Sequence, residues 1–353
     1  MIIGLLGLGS IVLTGCESDT PIGRNSGTAG GGGSAWLIPV EEVFDGGPGK
    51  DGIPALLDLP RNDLAHSEND YLSDDDLVLG FKSGDVVIAY PHDILDWHEI
   101  INDRVGSESV AVTYCPLTGT GVGWNRLINN VETTFGVSGL LYNSNLIPYD
   151  RLTESNWSQI GLKCVNGELI GSTPEILNLI EMTWGSWKEI FPSSEIVSTN
   201  TGHNRTYGRY PYGSYKINSD VIFPISTRDD RMHEKERVLG IVIDGKSRVY
   251  RFESFGPITG VIHDEFRGQK LVIAGKADQF MVAYNREIEP GVILTFGPSS
   301  INGLIIDQEG TEWDLFGYAV SGPRKGSHLP AVTSFMGYWF SFPAFYLNTE
   351  IYE

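Results

Sequence analysis

Apolar positions in this chain gather in short runs more often than at helical spacing. Val86 to Tyr90, Val110 to Tyr114 and Leu271 to Ala274 are β-branched or apolar runs bounded by Gly, Asp, Asn and Pro, the pattern of short strands. Two segments depart from it. From Asp93 to Asn102, residues Ile94, Trp97, Ile100 and Ile101 fall on one stripe at spacings of three and four, which predicts a helix. Trp184 to Phe191, stopped by Pro192, predicts a second short one. The expected fold class is mainly β (α+β), built from antiparallel β-rich units with one or two short helices each.

The pattern also repeats. Leu77-Val78-Leu79-Gly80 returns as Arg237-Val238-Leu239-Gly240, each followed by a Gly-containing turn and a second strand. Ile101-Asn102-Asp103 returns as Ile262-His263-Asp264, Trp124-Asn125-Arg126 as Tyr284-Asn285-Arg286, and Thr134-Phe135-Gly136 as Thr295-Phe296-Gly297. Asp150, Trp157 and Gly161 align with Asp307, Trp313 and Gly317. Trp184, Trp187, Phe191 and Pro192 align with Phe335, Tyr338, Phe342 and Pro343. The order is kept throughout, so chance is a poor explanation. Two related units are expected, 76–196 and 236–347, packed about a pseudo-two-fold. Segment 197–235 lies between them and a lead-in covers 36–75.

Composition narrows the function. The 353 residues are 41% hydrophobic and 20% charged, a globular balance. With 25 basic against 45 acidic residues the net charge is −20, which argues against nucleic acid, a partner that needs a cationic footprint. Three cysteines exclude a disulfide-stapled scaffold and a four-Cys zinc site. Ile2 to Leu13 is apolar but too short to span a bilayer, and it ends in Leu13-Thr14-Gly15-Cys16. That is the form of a bacterial lipoprotein signal over residues 1–15, although no Lys or Arg precedes Arg24. Cys16 is then the lipidated residue, the membrane a partner through its lipid, and the mature protein extracytoplasmic. Residues 16–35, with Gly30-Gly31-Gly32-Gly33-Ser34, form a flexible tether.

The repeat serves as an internal control. Polar or reactive residues in one copy only are candidates for function, and His92, His98, Glu99 and Cys115 face Glu253, Thr259, Gly260 and a position near Lys276 in the second copy. Cys115 stands where a strand ends in the turn Tyr114-Cys115-Pro116-Leu117-Thr118-Gly119. A thiol beside His can be activated or bind a soft metal; the plain alternative is a buried, inert Cys. Cys115, His98 and Glu99 are the candidate catalytic residues. Cys115, His98 and His92 are the candidate ligands of a thiophilic metal ion, the only cofactor suggested. A Cys115–Cys164 disulfide is a further possibility in an oxidising compartment. His98-Glu99-Ile100-Ile101-Asn102 has Asn where a zinc-protease helix needs its second His, which disfavours that chemistry.

Several of these runs resemble the domain-of-unknown-function 3179 family. They are Asp51-Gly52-Ile53-Pro54-Ala55-Leu56, Trp97-His98-Glu99-Ile100-Ile101-Asn102-Asp103, Val112-Thr113-Tyr114-Cys115-Pro116-Leu117, Phe135 to Ser144, Tyr149-Asp150-Arg151 with Trp157-Ser158-Gln159, and Tyr207 to Tyr212. The likeness covers about 45–345 and implies a common fold and site more than a reaction. Members of that family commonly carry a second Cys in the turn after Cys115, where this chain has Thr118; a vicinal dithiol or two-Cys clamp is therefore disfavoured here.

Segment 197–235 concentrates His203, Arg205, Tyr207, Arg209, Tyr210, Tyr212 and Tyr215 between Gly and Pro, followed by Arg228-Asp229-Asp230-Arg231. It reads either as a connector docking one unit on the other or as a lid. In the second case Asn143, Tyr207, Arg209, Tyr212 and Arg228 would hold a small polar ligand or a protein partner. Gly136-Val137-Ser138-Gly139 reads as a structural turn and not a nucleophile elbow. The leading functional expectation is a lipid-anchored protein with a Cys/His site for a soft metal or thiol chemistry. The alternatives are a non-catalytic binding module using the Tyr/Arg segment, and a cysteine hydrolase or transferase with His98 as base.

Overall fold

A computed structural model describes residues 35–353; the expected signal, Cys16 and most of the expected tether lie outside them. Among the described residues strands dominate, with three short α-helices: α1 (His92–His98), α2 (Trp184–Ile190) and α3 (Ser341–Phe345). Among the described residues no helix is long and apolar enough to cross a membrane.

Strand pairings run in the same order on both sides of segment 197–235. Leu77–Ser83 forms a hairpin with Val86–Pro91, takes Ile180–Thr183 antiparallel on its other side, and Glu195–Val197 adds parallel to Val86–Pro91. Arg237–Ile243 likewise pairs with Lys246–Arg251 and Ser334–Tyr338, and Glu350–Ile351 adds in parallel. The meander Ile100–Val105, Glu108–Cys115, Thr120–Asn125 has its like in Gly260–Phe266, Gln269–Lys276, Phe280–Asn285. A four-stranded antiparallel sheet follows in each case, Phe135 to Asn166 and Phe296 to Ser321.

The residues that hold these pieces together also correspond. Buried Asp150 accepts bonds from the Thr153 amide (2.7 Å) and Trp157 Nε1 (3.0 Å); Asp307 accepts from the Thr311 amide (2.9 Å) and Trp313 Nε1 (3.0 Å). Asn102 Oδ1 takes the Phe135 amide at 2.7 Å, and His263 Nε2 takes the Phe296 amide at 2.9 Å. Two glycines admit a ring against the sheet: a Cβ on Gly80 would lie 2.1 Å from Trp187, and one on Gly240 1.8 Å from Phe342. Trp187 on Gly80 and Phe342 on Gly240 thus take like places, whereas the sequence alignment sets Trp187 against Tyr338.

The two sets of strands are not separate bodies. Phe280–Asn285 joins Ile180–Thr183 through Met182 and Phe280, so one eight-stranded sheet takes strands from both. The lead-in adds an edge strand to three sheets that hold strands of the first set: Val43–Asp45, Leu56–Leu57 and Arg61–Asp63. Gly136 to Gly139 lies in a strand with a register shift at Val137/Leu140, a β-bulge with Gly139 at φ 80°.

One predicted element is shorter than its pattern. The helix starts directly after Pro91 and ends at His98, and Glu99 takes a left-handed conformation (φ 58°). Ile100 and Ile101 leave it for a strand, pairing with Thr113 and Val112. Both are fully buried, on opposite faces, so sheet pairing overrides the helical stripe.

Candidate functional site

Glu108–Cys115 delivers Cys115 to the start of the Pro116–Gly119 turn, where it is 1% exposed and its thiol points to the Ser144 carbonyl (3.6 Å). Burial, and then the Glu99 carboxyl, push the thiol up to about 11. At neutral pH it is a protonated thiol, not a nucleophile. His98 does not serve it. Its Nδ1–H donates to the Pro54 carbonyl (2.8 Å), and Nε2 accepts from the Tyr207 hydroxyl (2.8 Å), which is itself bonded to Thr201. Burial lowers this imidazole to about 4, so it is neutral with both nitrogens engaged. The expected Cys115–His98 pair is not formed. Cys164 and Cys115 are both free and buried, so the possible disulfide is not formed either. Iodoacetamide near neutral pH is expected to leave both thiols unmodified in the folded protein and to alkylate them in urea. Rapid native labelling of Cys115 would overturn its assignment as inert.

The candidate metal ligands are likewise apart in their bonding. His92 lies against Tyr114 (ring centroids 4.3 Å) and Glu181, not against Cys115 or His98. Among the described residues no group of three or more His, Cys, Asp or Glu is placed to hold a metal ion. Glu99 is unusual on its own account. It closes α1 in a conformation that favours Gly or Asn, and burial alone raises its carboxyl to about 8. It also pushes up both Cys115 and Tyr212, which puts the three side chains within electrostatic reach of one another.

The residues expected to hold a ligand divide into structural and free. Asn143 is structural: Nδ2 donates to the Ala344 carbonyl (2.8 Å) and Oδ1 accepts the Ser226 amide (2.7 Å). Tyr207 is committed to His98, and the Arg209 carbonyl accepts from Trp97 Nε1 at 3.2 Å. The Arg209 and Arg228 side chains are exposed, and Tyr212 is half-buried beside Tyr210. Segment 197–235 does cover the Cys115 turn: Tyr215 donates to the Leu117 carbonyl (2.8 Å) and Tyr210 to that of Pro116 (3.5 Å).

Beside that cover lies a cleft of about 260 Å³ lined by Asp75, Asp76, Leu77, His92, Tyr114, Lys216, Lys235, Arg237 and Tyr338. They come from several parts of the fold. His92 opens α1, Tyr114 is the last residue but one of its strand, Lys216 and Lys235 belong to the connecting segment, and Arg237 and Tyr338 are paired strand residues of the second set. Arg237 reaches across to bind Glu181 and the Gly119 carbonyl (3.1 Å). Burial raises Glu181, but Arg237 and then His92 outweigh it and hold the carboxylate below its usual range. Lys216 pairs with buried Asp96 at 2.8 Å, yet burial still lifts that carboxyl to about 7. Lys235 donates to the Tyr215 carbonyl and to Asn218 Oδ1 (2.9 Å) and sits over the Tyr215 ring.

This cluster is not fully satisfied. His92 Nε2 and Glu181 Oε2 face each other at 3.2 Å, and buried Asp96 Oδ1 has no hydrogen-bond partner. Buried polar atoms without partners are uncommon in folded proteins. Sequence reading found His92 here and missed Asp96, Glu181, Lys216, Lys235, Arg237 and Tyr338. A signal existed: Arg237 is a charge in an apolar run whose likeness in sequence, Leu77-Val78-Leu79-Gly80, has Leu77 at that place.

No curated protein and no solved structure matches the chain. The sequence model of one family, described as a protein of unknown function (DUF3179), matches residues 50–349, nearly the whole of the described chain and every residue that lines the cleft. The chain belongs to that family.

Proposed function

We propose that this protein is a lipid-anchored extracytoplasmic binding module that seats a small polar ligand in the cleft between the two strand sets and the connecting segment. The observation that carries this reading is the cleft itself, about 260 Å³ lined by His92, Lys216, Lys235 and Arg237 together with the Tyr114 and Tyr338 rings. Polar groups and aromatic rings that converge on one concave site are the ordinary make-up of a ligand pocket. The Cys/His reading has less support, since His98 is fully bonded and Cys115 is a buried, high-pKa thiol. Anchoring is read from Leu13-Thr14-Gly15-Cys16 and the Gly-rich tether behind it. The shared order of pairings supports reading the strand sets as copies of one unit, whose second copy lends Arg237 to the first.

Saturation-transfer NMR on the full chain tests ligand binding. The probes are D-glucose, acetate, inorganic phosphate, ethanolammonium and glycine. At least one is expected to receive transfer that weakens in Arg237→Lys, whereas no transfer to any of them would sink the binding reading. Intact mass of the membrane-purified protein is expected to show acyl chains that vanish in Cys16→Ser.

A further inference from the structure

We propose that the cleft binds a small anion, a carboxylate or a phosphate, whose oxygens accept hydrogen bonds from Lys216, Lys235 and Arg237; this rests on the binding reading above and gives it a chemical class. Three of the nine residues lining the cleft are Lys or Arg, in a chain with 25 basic residues among 353. That concentration runs against a net charge of −20, so composition does not explain it. The ion pairs beside the cleft turn their positive ends outward. The Lys216 and Arg237 side chains are 37% and 20% exposed, whereas their partners Asp96 and Glu181 are 1% and 4% exposed. Neither carboxylate is part of the lining. Lys216 has one acceptor, Asp96 Oδ2, for its three N–H groups. Arg237 uses Nε and Nη2 on Glu181 and the Gly119 carbonyl, and Nη1 takes no part in those bonds. A guanidinium edge with an ammonium on the same wall suits an anionic oxygen.

Lys235 is the strongest sign. It is 6% exposed, and its two acceptors, the Tyr215 carbonyl and Asn218 Oδ1, are both neutral. Among the described residues it forms no ion pair. The Tyr215 ring, 3.4 Å from Nζ at its centroid, attracts the charge without cancelling it. A Lys so buried is ordinarily paired, and an anion in the cleft supplies the missing partner. Burial lowers its pKa, and the exposed carboxylates Asp220 and Glu234 offset only part of that. The two acids of the lining belong to the turn before Leu77. Asp75 is exposed there, and Asp76 Oδ2 accepts the Ser73 amide at 2.7 Å. Water and salt screen an exposed carboxylate more than they screen a buried ammonium. His92, lowered by burial, adds no charge at neutral pH. Size points to a small molecule, since about 260 Å³ falls just below the about 300–1,000 Å³ of sites that enclose drug-sized ligands.

The test is calorimetric titration of the full chain, at low and at physiological salt, with acetate, succinate, inorganic phosphate, D-glucose and ethanolammonium. At least one anion is expected to bind, more weakly as salt rises, and about tenfold more weakly in Lys235→Gln, the loss that follows when a hydrogen bond to a charged group goes. The carboxylates and phosphate, titrated separately, distinguish the two sources of anionic oxygen. Because Lys235 also bonds within the connecting segment, Lys216→Gln serves as an independent variant with the same expected loss. Lys246→Ala, exposed at the start of its strand, is expected to leave affinity unchanged. Binding of D-glucose or ethanolammonium, and of no anion, overturns the anionic class while the binding module stands. Anion binding that neither Lys variant weakens overturns the assignment to this cleft. Binding of no probe at all overturns both readings.

Discussion

Arg237→Leu is expected to destabilise the protein by about 3–5 kcal/mol, measured as a fall in the urea midpoint with little change in slope. Glu181 is 5% exposed, and Arg237 is its cationic partner. Removing the guanidinium leaves a carboxylate in a place where burial already works against it, with only His92 nearby. The informative companion is the double variant, Arg237→Leu with Glu181→Met. Leu77 pairs with Thr183 as Arg237 pairs with Tyr338, and Met336 pairs with Leu239 as Glu181 pairs with Leu79. The fold thus already carries these apolar residues at the corresponding positions. Most of the lost stability is expected to return, because an ion pair replaced whole by apolar groups of similar size costs little. Ligand binding is expected to stay absent. A single variant within about 1 kcal/mol of the parent, the ordinary worth of an exposed pair, would show that the bridge does little for the fold.

The second large effect is one of pH. Glu99 has a folded pKa of about 8 against an ordinary 4.5, so the folded state holds a proton that the unfolded state gives up. Its contribution is fully present below about pH 4.5 and is lost as pH rises through about 8. Glu99→Gln keeps the neutral shape without the titration. It is expected to unfold at nearly the parent's midpoint in acid and to exceed the parent by a few kcal/mol at pH 8, on the order of 1.4 kcal/mol for each pH unit crossed. Asp96, raised to about 7, pulls in the same direction as Glu99. His98, lowered to about 4, pulls the other way: its contribution is present above pH 6.5 and lost as pH falls through about 4. Both remain in parent and variant and drop out of the difference. Parallel stability curves from pH 5 to 8 would mean that Glu99 is ionised in the fold.

Local pattern carried the strands well, because runs such as Val110 to Val112 are buried on both faces and read as unbroken apolar stretches. It failed at Ile100, where a helical stripe and a strand start share the same two isoleucines. The internal likeness of sequence brought together Asp150 and Asp307, whose bonds depend only on near neighbours in the chain. The same comparison looked for chemistry in one way only. It sought reactive residues confined to one copy, which assumes that a site is built by one copy alone. Arg237 sits in the second strand set and works in the first, a relation that only pairing across the molecule reveals. Lys216 and Lys235 were passed over because the tyrosines and arginines around them are the more conspicuous composition.

The eight-stranded sheet sets terms for how the chain is made. Ile180–Thr183 receives its outer neighbour, Phe280–Asn285, only after about a hundred further residues have been synthesised. Until then a short apolar edge, with Ile180 and Met182 facing no strand, stays open to any other extended polypeptide. Glu181 lies in the middle of that edge and keeps its charge there until Arg237 arrives. That charge therefore acts before the fold is complete, discouraging one nascent chain from pairing with the next.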